Sequence, residues 1–364
     1  MSVRMIHAAD LHLDSPFEGL DAEKAAVRRS EQRELLGRIV TETKKRKADL
    51  LLLAGDLFDS TSAYTETGEA LRAALASLDI PVFIAPGNHD RYTRRSPYAR
   101  IGFPENVHIF TKPQLECIEL PSLGVRVWGA GYTDTSCPPL LSGFRAPKEP
   151  GIKNILVLHA ELGRSGSPYC PVTEQELAQS GFSYAALGHI HTGSGLRRTG
   201  RCCYAWPGCP EGRGFDECGE KGILQIDLED TKCAARFVVT SSRRYEKLEV
   251  PAGEDALASV RAMLPENTAR DIYKITLTGE CAAAPDIAYL HQSLDNDFFA
   301  LTIADETRPP RDLFARAEED TLAGRFLRRM QQRIDAAPTE EEKQSLLRAV
   351  RYGIAALEGW EVRL

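Results

Sequence analysis

Five short polar blocks, each set close behind an apolar run, constrain this chain more than any other feature. Asp10-Leu11-His12 follows residues 5–8, and Gly55-Asp56 follows 50–54. Gly87-Asn88-His89-Asp90 follows 82–85, His159 follows 155–158, and Gly188-His189-Ile190-His191 follows 184–187. Apolar runs of this length bounded by turn residues read as buried strands. The blocks then gather at the carboxyl ends of strands, the edge where open α/β sheets place their ligands. Five of the eight histidines fall in these blocks rather than on amphipathic faces. Their Asp, Asn and His donors suit manganese, iron or zinc, and soft thiolates are missing from the blocks. In Asp10-x-His12 and His189-x-His191 an extended backbone would point both side chains the same way. Glycines at 55, 87 and 188 would let the chain turn sharply where side chains converge. Taken singly, a DxH pair is more often an N-cap or surface pair; the ordered set behind five strands carries the inference.

The remaining pattern supplies a scaffold. Further apolar runs lie at 125–130 and 222–228, and helical periodicity marks 23–47 (Leu35, Leu36, Ile39, Val40) and 66–78 (Ala70, Leu71, Ala74, Leu75, Leu78). Strand–helix alternation followed by closely spaced strands predicts an α/β sandwich of two mixed sheets with outer helices. Near Pro251 the pattern changes to helix 255–264, strand 272–277, helix 286–294 and strand 298–303, a small α/β cap. Arg308-Pro309-Pro310 ends it. A helix over 312–336 then carries Leu313, Ala317, Phe326, Met330 and Ile334 along one face. A second opens with Thr339-x-x-Glu342, a capping-box pattern, and carries Leu346, Leu347, Val350, Ile354 and Leu357. The expected division is 1–250, 251–310 and 311–364. The last segment reads as a helical hairpin whose patch of Phe326, Met330 and Leu346 is left over for a partner.

Charge and composition narrow the class. The net charge is −7, with −6 of it in residues 251–364 and −1 in 1–250, so two divalent cations would make the active face of the larger part positive. No stretch reaches the roughly 20 apolar residues of a membrane span, and the start runs straight into a strand. The expectation is a soluble, cytoplasmic protein with no membrane partner. Nine cysteines without a CxxC pair read as reduced thiols that bind no metal.

At the five blocks the chain resembles the calcineurin-like metallophosphoesterase superfamily, with its pattern DxH, GD, GNH(D/E), H and GHxH. The segments ADLHLDSPF (9–17), LLLAGDLFDS (51–60), APGNHD (85–90), LVLHAEL (156–162), YAALGHIH (184–191) and WPGCPEGRGFDECGEKG (206–222) are similar to SbcD-type DNA-repair exonucleases, especially their YhaO-like bacterial branch. The resemblance implies a four-layer sandwich, two sheets flanked by helices, carrying a small α/β cap and a C-terminal helical hairpin. It implies two divalent ions, manganese first among them. Asp10, His12 and His191 would hold one, Asn88, His159 and His189 the other, with Asp56 bridging. His89 would face the scissile phosphate without binding metal, and Asp90 would orient it. Asp14 departs from relatives that carry glycine there, which leaves open how that loop meets substrate.

The implied chemistry is hydrolysis of phosphodiester bonds. Two cations about 3.5–4 Å apart lower the pKa of a shared water and neutralise the growing oxyanion. His89 would stabilise the transition state or donate a proton to the leaving oxygen, a role worth about 10²–10⁴-fold; the alternative is an imidazole that only orients a ligand. Arg91, Tyr92, Arg94 and Arg95, with Tyr98 and Arg100, suit a nucleic-acid groove, since guanidinium groups bind phosphate and tyrosine stacks on bases. A solvated loop explains them equally. Lys44–Lys47 ends a helix, where cations complement the dipole. The stripe Arg325, Arg329 and Arg333 fits a solvated helix face, and the hairpin resembles the segment by which SbcD-type nucleases grip an SbcC-like, SMC-type ATPase. The reading is therefore a DNA exonuclease or endonuclease with DNA and that ATPase as partners, homodimerisation being left open. The alternatives are a phosphodiesterase on small nucleotides and a catalytically silent DNA-binding scaffold.

Overall fold

Apolar strands alternate with amphipathic helices through the first part of the chain. In order these are β1 (Val3–Ala8), α1 (Ala22–Lys45), β2 (Leu50–Leu53), α2 (Thr65–Ala76), β3 (Val82–Ile84), α3 (Pro97–Arg100), β4 (Val107–Ile109), β5 (Glu116–Leu120) and β6 (Val125–Gly129). There follow β7 (Lys153–His159), α4 (Glu174–Ser180), β8 (Tyr184–Gly188), β9 (Arg197–Thr199), β10 (Cys202–Ala205), β11 (Gly222–Leu228) and β12 (Cys233–Val239). The computed structural model describes residues 2–163, 166–281, 283–308 and 314–359. The chain divides into two units, Met1–Arg244 and Tyr245–Leu364.

In the first unit the strands form two six-stranded sheets, ordered β12-β11-β1-β2-β3-β4 and β5-β6-β7-β8-β10-β9. β1 to β4 run parallel in the first, and β6, β7, β8 and β10 in the second. Both sheets are mixed, because β11 and β5 pair antiparallel with β1 and β6. The strand period of two sorts the core into layers. Leu50 and Leu52 join Met5, Phe83, Ile155 and Val157 between the sheets, whereas Leu51 and Leu53 pack with Leu35, Ile39, Leu71 and Leu75 of α1 and α2 on the outer face. Leu156 and Leu158 face away from the first sheet, toward Leu177 of α4. Helix, sheet, sheet and helix make the expected four layers. β2, β7 and β8 are buried along their whole length, as parallel strands covered on both faces must be.

The second unit begins with a strand that periodicity does not reveal. β13 (Tyr245–Pro251) pairs in parallel with β14 (Ile272–Thr278) from Tyr245 opposite Ile272 to Pro251 opposite Thr278, so the small sheet starts ahead of residue 251. β15 (Ala300–Asp305) completes it, and α5 (Ala256–Met263) and α6 (Ile287–Leu294) bury Val260, Leu290 and Leu294 with Val250, Ile275 and Leu277 of the strands. α7 (Leu322–Asp335) starts later than residue 312. The Thr321 hydroxyl accepts the Gly324 amide at 3.0 Å and caps the helix there. Pro309, Pro310, Asp312 and Leu313 lie outside the described residues. α8 (Glu340–Leu357) opens at Thr339, whose side chain accepts the Glu342 amide at 3.2 Å.

The expected leftover patch on the hairpin is not there. Met330 and Leu346 are buried with Leu327, Val350 and Ile354 in a cluster of the hairpin's own, and the Phe326 ring lies over Gly353, where a Cβ would come within 2.3 Å of it. The glycine lets the helices approach closely enough for the two stripes to cover each other. Among the described large apolar side chains of the hairpin, Leu322, Tyr352 and Leu357 stay exposed, and so do the arginines Arg325, Arg329 and Arg333. Truncating Leu327 to alanine should therefore weaken the hairpin itself by about 2–5 kcal/mol. Faster amide exchange across α7 and α8 would report it; unchanged protection would mean that the cluster contributes little.

Candidate metal centre

The polar blocks meet at one edge of the sandwich, and backbone strain is what aims them. β1 ends at Ala8, and Asp10 and His12 take the left-handed conformation with φ of 54° and 43°. Asp56 and His189 do the same, at 49° and 94°. The alternation of an extended strand therefore does not align Asp10 with His12, or His189 with His191. Tight left-handed turns do, in residue types that tolerate them better than most. The glycines differ in their reasons. Gly55 needs both its φ of 91° and space, since a Cβ there would stand 2.4 Å from His159 Nδ1, whereas Gly87 and Gly188 are required for space alone: a Cβ would stand 2.2 Å from Asp56 Oδ1 at the first and 1.8 Å from the Ala54 carbonyl oxygen at the second.

Three overlapping triads result, Asp10–His12–His191, His12–Asp56–His89 and Asp10–Asp56–His159, each with its ligand atoms within 4.8 Å of one another. Asp10, His12, Asp56 and His159 are essentially inaccessible to solvent. His159 donates Nδ1–H to the Ala54 carbonyl at 3.0 Å, which turns Nε2 toward Asn88 Oδ1 at 3.0 Å and Asp56 Oδ2 at 3.2 Å. His12 donates Nδ1–H to Asp59 Oδ1 at 3.0 Å, and His191 Nδ1 lies 2.8 Å from Glu217 Oε1. With both Nδ1 protons used outward, the Nε2 atoms of His12 and His191 face each other at 3.2 Å. Two nitrogens this close need a proton or a metal ion between them, and mixed oxygen and nitrogen donors fit a divalent transition metal. His189 packs its ring against His159 and Tyr169, with centroids 5.1 and 4.8 Å away.

Comparisons with known proteins agree with this geometry. Residues 3–193 match the calcineurin-like phosphoesterase family. The chain belongs to that family. Among its relatives is the uncharacterized metallophosphoesterase YhaO of Bacillus subtilis, 30% identical over 274 residues that make up 72% of this chain and 66% of the relative. The SbcD component of the nuclease SbcCD of the same organism is 30% identical over 62% of this chain and 66% of its own. The DNA double-strand break repair protein Mre11 of Saccharolobus solfataricus is 27% identical over 62% and 60%. The chain thus spans less than two thirds of the length of each of these relatives.

Around the phosphoesterase centre several residues occupy places the sequence did not reveal. Asp90 does not orient His89 by contact. Its carboxylate accepts the amides of Gly87, Leu57 and Phe58 at 2.7, 2.6 and 3.2 Å and the Tyr98 hydroxyl, which fixes the turn from which His89 projects. The exposed His89 instead meets the Asp59 carbonyl through Nδ1 at 3.0 Å. Tyr98 is buried against Phe58, so it offers no face to a base. Tyr92 is half-buried on the core, Arg91 is half-buried, and Arg94 and Arg95 are exposed. Asp14 accepts the Tyr64 amide at 2.9 Å and the Thr67 hydroxyl at 2.5 Å, tying its loop to the start of α2. Asp59, Arg213 and Glu217 lie within the family-like segments, yet nothing in their spacing marks them as supports of His12 and His191.

Burial pushes Asp10 up to about 6 and His12 down to about 4. Burial opposes the charge of His159 too, but the Asp56 carboxylate beside it outweighs this and lifts it to about 9. Burial likewise opposes the charge of Asp56, and the His159 imidazolium holds that carboxyl far below its usual range. A metal ligand must give up its proton, so an ion held by His159 would have to displace the one it carries. In metal-free protein the raised pKa of His159 contributes stability that is complete below its ordinary 6.5 and lost as pH rises through about 9. With a divalent ion on His159 the sign would reverse. The rise in melting temperature on adding manganese should therefore widen between pH 6 and 8.5; a constant rise would show that His159 carries no proton to displace.

Proposed function

We propose that this chain is a two-metal phosphodiesterase acting on DNA, an exonuclease or endonuclease that works with an SbcC-like, SMC-type ATPase. The observation that carries the phosphodiester reading is the sharing of ligands, since Asp56 and Asp10 each belong to two of the three triads. Asp10, His12 and His191 would hold one ion, Asn88, His159 and His189 the other, with Asp56 between them. Bound divalent ions, manganese by preference, would supply Lewis acidity and an activated water for in-line attack. Asp10 and Asp56, both buried, would carry the negative charge that retains them. His89, exposed and braced through Nδ1, keeps Nε2 for the phosphate or for a proton delivered to the leaving oxygen.

Two features support DNA as the substrate. Relatives carry the names nuclease and DNA double-strand break repair protein, and Arg94 and Arg95 stand exposed just beyond the Asn88–Asp90 block. The ATPase partner rests on the resemblance of the α7–α8 hairpin, with its exposed arginines, to the segment by which SbcD-type nucleases grip their ATPase, and one relative is named as a subunit of a nuclease. No helix among the described residues is long and apolar enough to cross a membrane.

The deciding assay is purified protein with manganese on labelled single- and double-stranded DNA beside a small chromogenic phosphodiester. DNA cleavage is expected; turnover of the small diester alone would replace the nuclease reading by a small-nucleotide one. Asp56→Ala should lose metal and activity together, and full metal content there would contradict its bridging position. His89→Gln should keep both ions and lose about 10²–10⁴-fold in turnover. If metal leaves with activity, His89 joins the ligands, as the triad His12–Asp56–His89 permits. Deleting 312–364 should abolish co-purification with the ATPase while short-DNA cleavage persists.

A further inference from the structure

The supports behind one half of the centre close into a ring. Starting from His12, Nδ1 meets Asp59 Oδ1 at 3.0 Å, and the same oxygen accepts Arg213 Nη1 at 3.2 Å. Arg213 continues to Glu217, with Nη2 on Oε1 at 2.6 Å, Nε on Oε2 at 3.2 Å and its backbone amide on Oε2 at 2.8 Å. Glu217 Oε1 meets His191 Nδ1 at 2.8 Å, and His191 Nε2 returns to His12 Nε2 at 3.2 Å. Arg213 Nη2 also lies 3.1 Å from His191 Nδ1. Both nitrogens can only donate if that ring proton goes to Glu217, so this last approach is proximity and not a hydrogen bond.

We propose that Arg213 is the positioning residue of this half-site. Through Asp59 and Glu217 it fixes the orientation and tautomer of His12 and His191 together, and so sets how tightly Asp10, His12 and His191 hold a divalent ion. The inference rests on the metal-binding part of the function proposed above, not on its substrate. Glu217 is 2% exposed at its side chain, and a carboxylate so buried needs a charged partner to remain an acceptor for His191. Only a guanidinium can grip one carboxylate by two donors while reaching a second with another. Arg213 is held in place in turn, because the fully buried Arg28 of α1 donates to Glu211 Oε1 at 2.8 Å and to the Gly212 carbonyl at 2.9 Å, immediately ahead of it. His159 relies on a backbone carbonyl instead, so the two halves of the centre are supported differently.

The test measures manganese binding to full-length protein by equilibrium dialysis with elemental analysis, alongside the spin-coupled two-manganese resonance signal. Arg213→Gln and Glu217→Ala should each weaken one of two binding events by about 10–100-fold and diminish the coupled signal, the other event staying in place. Arg213→Gln should add nothing further in an Asp59→Ala/Glu217→Ala background, because it acts only through those carboxylates. An additive loss would overturn the proposal. Should Arg213→Gln fail to fold, Arg213→Lys serves. It keeps the charge without the fork and should lose affinity as well; full affinity in Arg213→Lys would refute positioning by geometry. A wild-type protein that binds no manganese would sink the metal reading itself, whereas two tight ions in wild type and Arg213→Gln alike would sink the ring alone.

Discussion

The mutual contact of Asp10, Asp56 and His159 in a region closed to water is the interaction on which the rest of the site depends. An ion moved out of water survives only beside an opposite charge or a metal. Here His159 lies 3.2 Å from Asp56 Oδ2, with a second carboxylate, Asp10 Oδ1, at 3.8 Å. One imidazolium cannot serve two buried carboxylates equally. Asp56 keeps its charge, and burial drives Asp10 up toward neutrality. Two buried carboxylates thus share one imidazolium, and a divalent cation among them would let both keep their charge.

Bringing these groups together imposes conditions on the backbone. Left-handed conformations at Asp10, His12, Asp56 and His189 cost of order 1–3 kcal/mol each when the residue is not glycine. They persist because both sheets grip the loops. The amide of Asp10 donates to the Gly55 carbonyl at 2.9 Å and the amide of His12 to the Asp56 carbonyl at 2.9 Å. His189 N–H donates to Asp10 Oδ1 at 3.0 Å, carrying the grip across from the second sheet to the first. The sheets approach so closely at this edge that Gly188 leaves no room for a methyl group against Ala54. The hairpin of the second unit shows the same device, Gly353 admitting the Phe326 ring so that two amphipathic helices complete each other's cover.

The parallel strands, the four layers, the five blocks and the membership of a metal-dependent phosphoesterase family were legible in the sequence. Leu50–Leu53, a short apolar run bounded by turn residues, reads as a buried strand, and a polar block behind such a strand falls at its carboxyl end. Strands with weaker patterns were not legible. β12 exposes most of its residues and β13 alternates imperfectly, so hydrophobicity alone offered no reason to place either in a sheet.

For the site, residue type and order along the chain determined which side chains are able to bind metal, because only carboxylates, amides and imidazoles behind buried strands offer such donors. The tertiary structure alone decided how they are aimed. Whether Asp10 and His12 align by strand alternation or by left-handed turns depends on hydrogen bonds to Gly55 and Asp56, more than forty residues on. Whether Asp90 touches His89 or caps three amides depends on which donors surround a carboxylate once it is buried. Arg213 and Asp59 are 154 positions apart. Local spacing carries no information about contacts at that separation, since they form only when two sheets pack and the groups left without water must find one another.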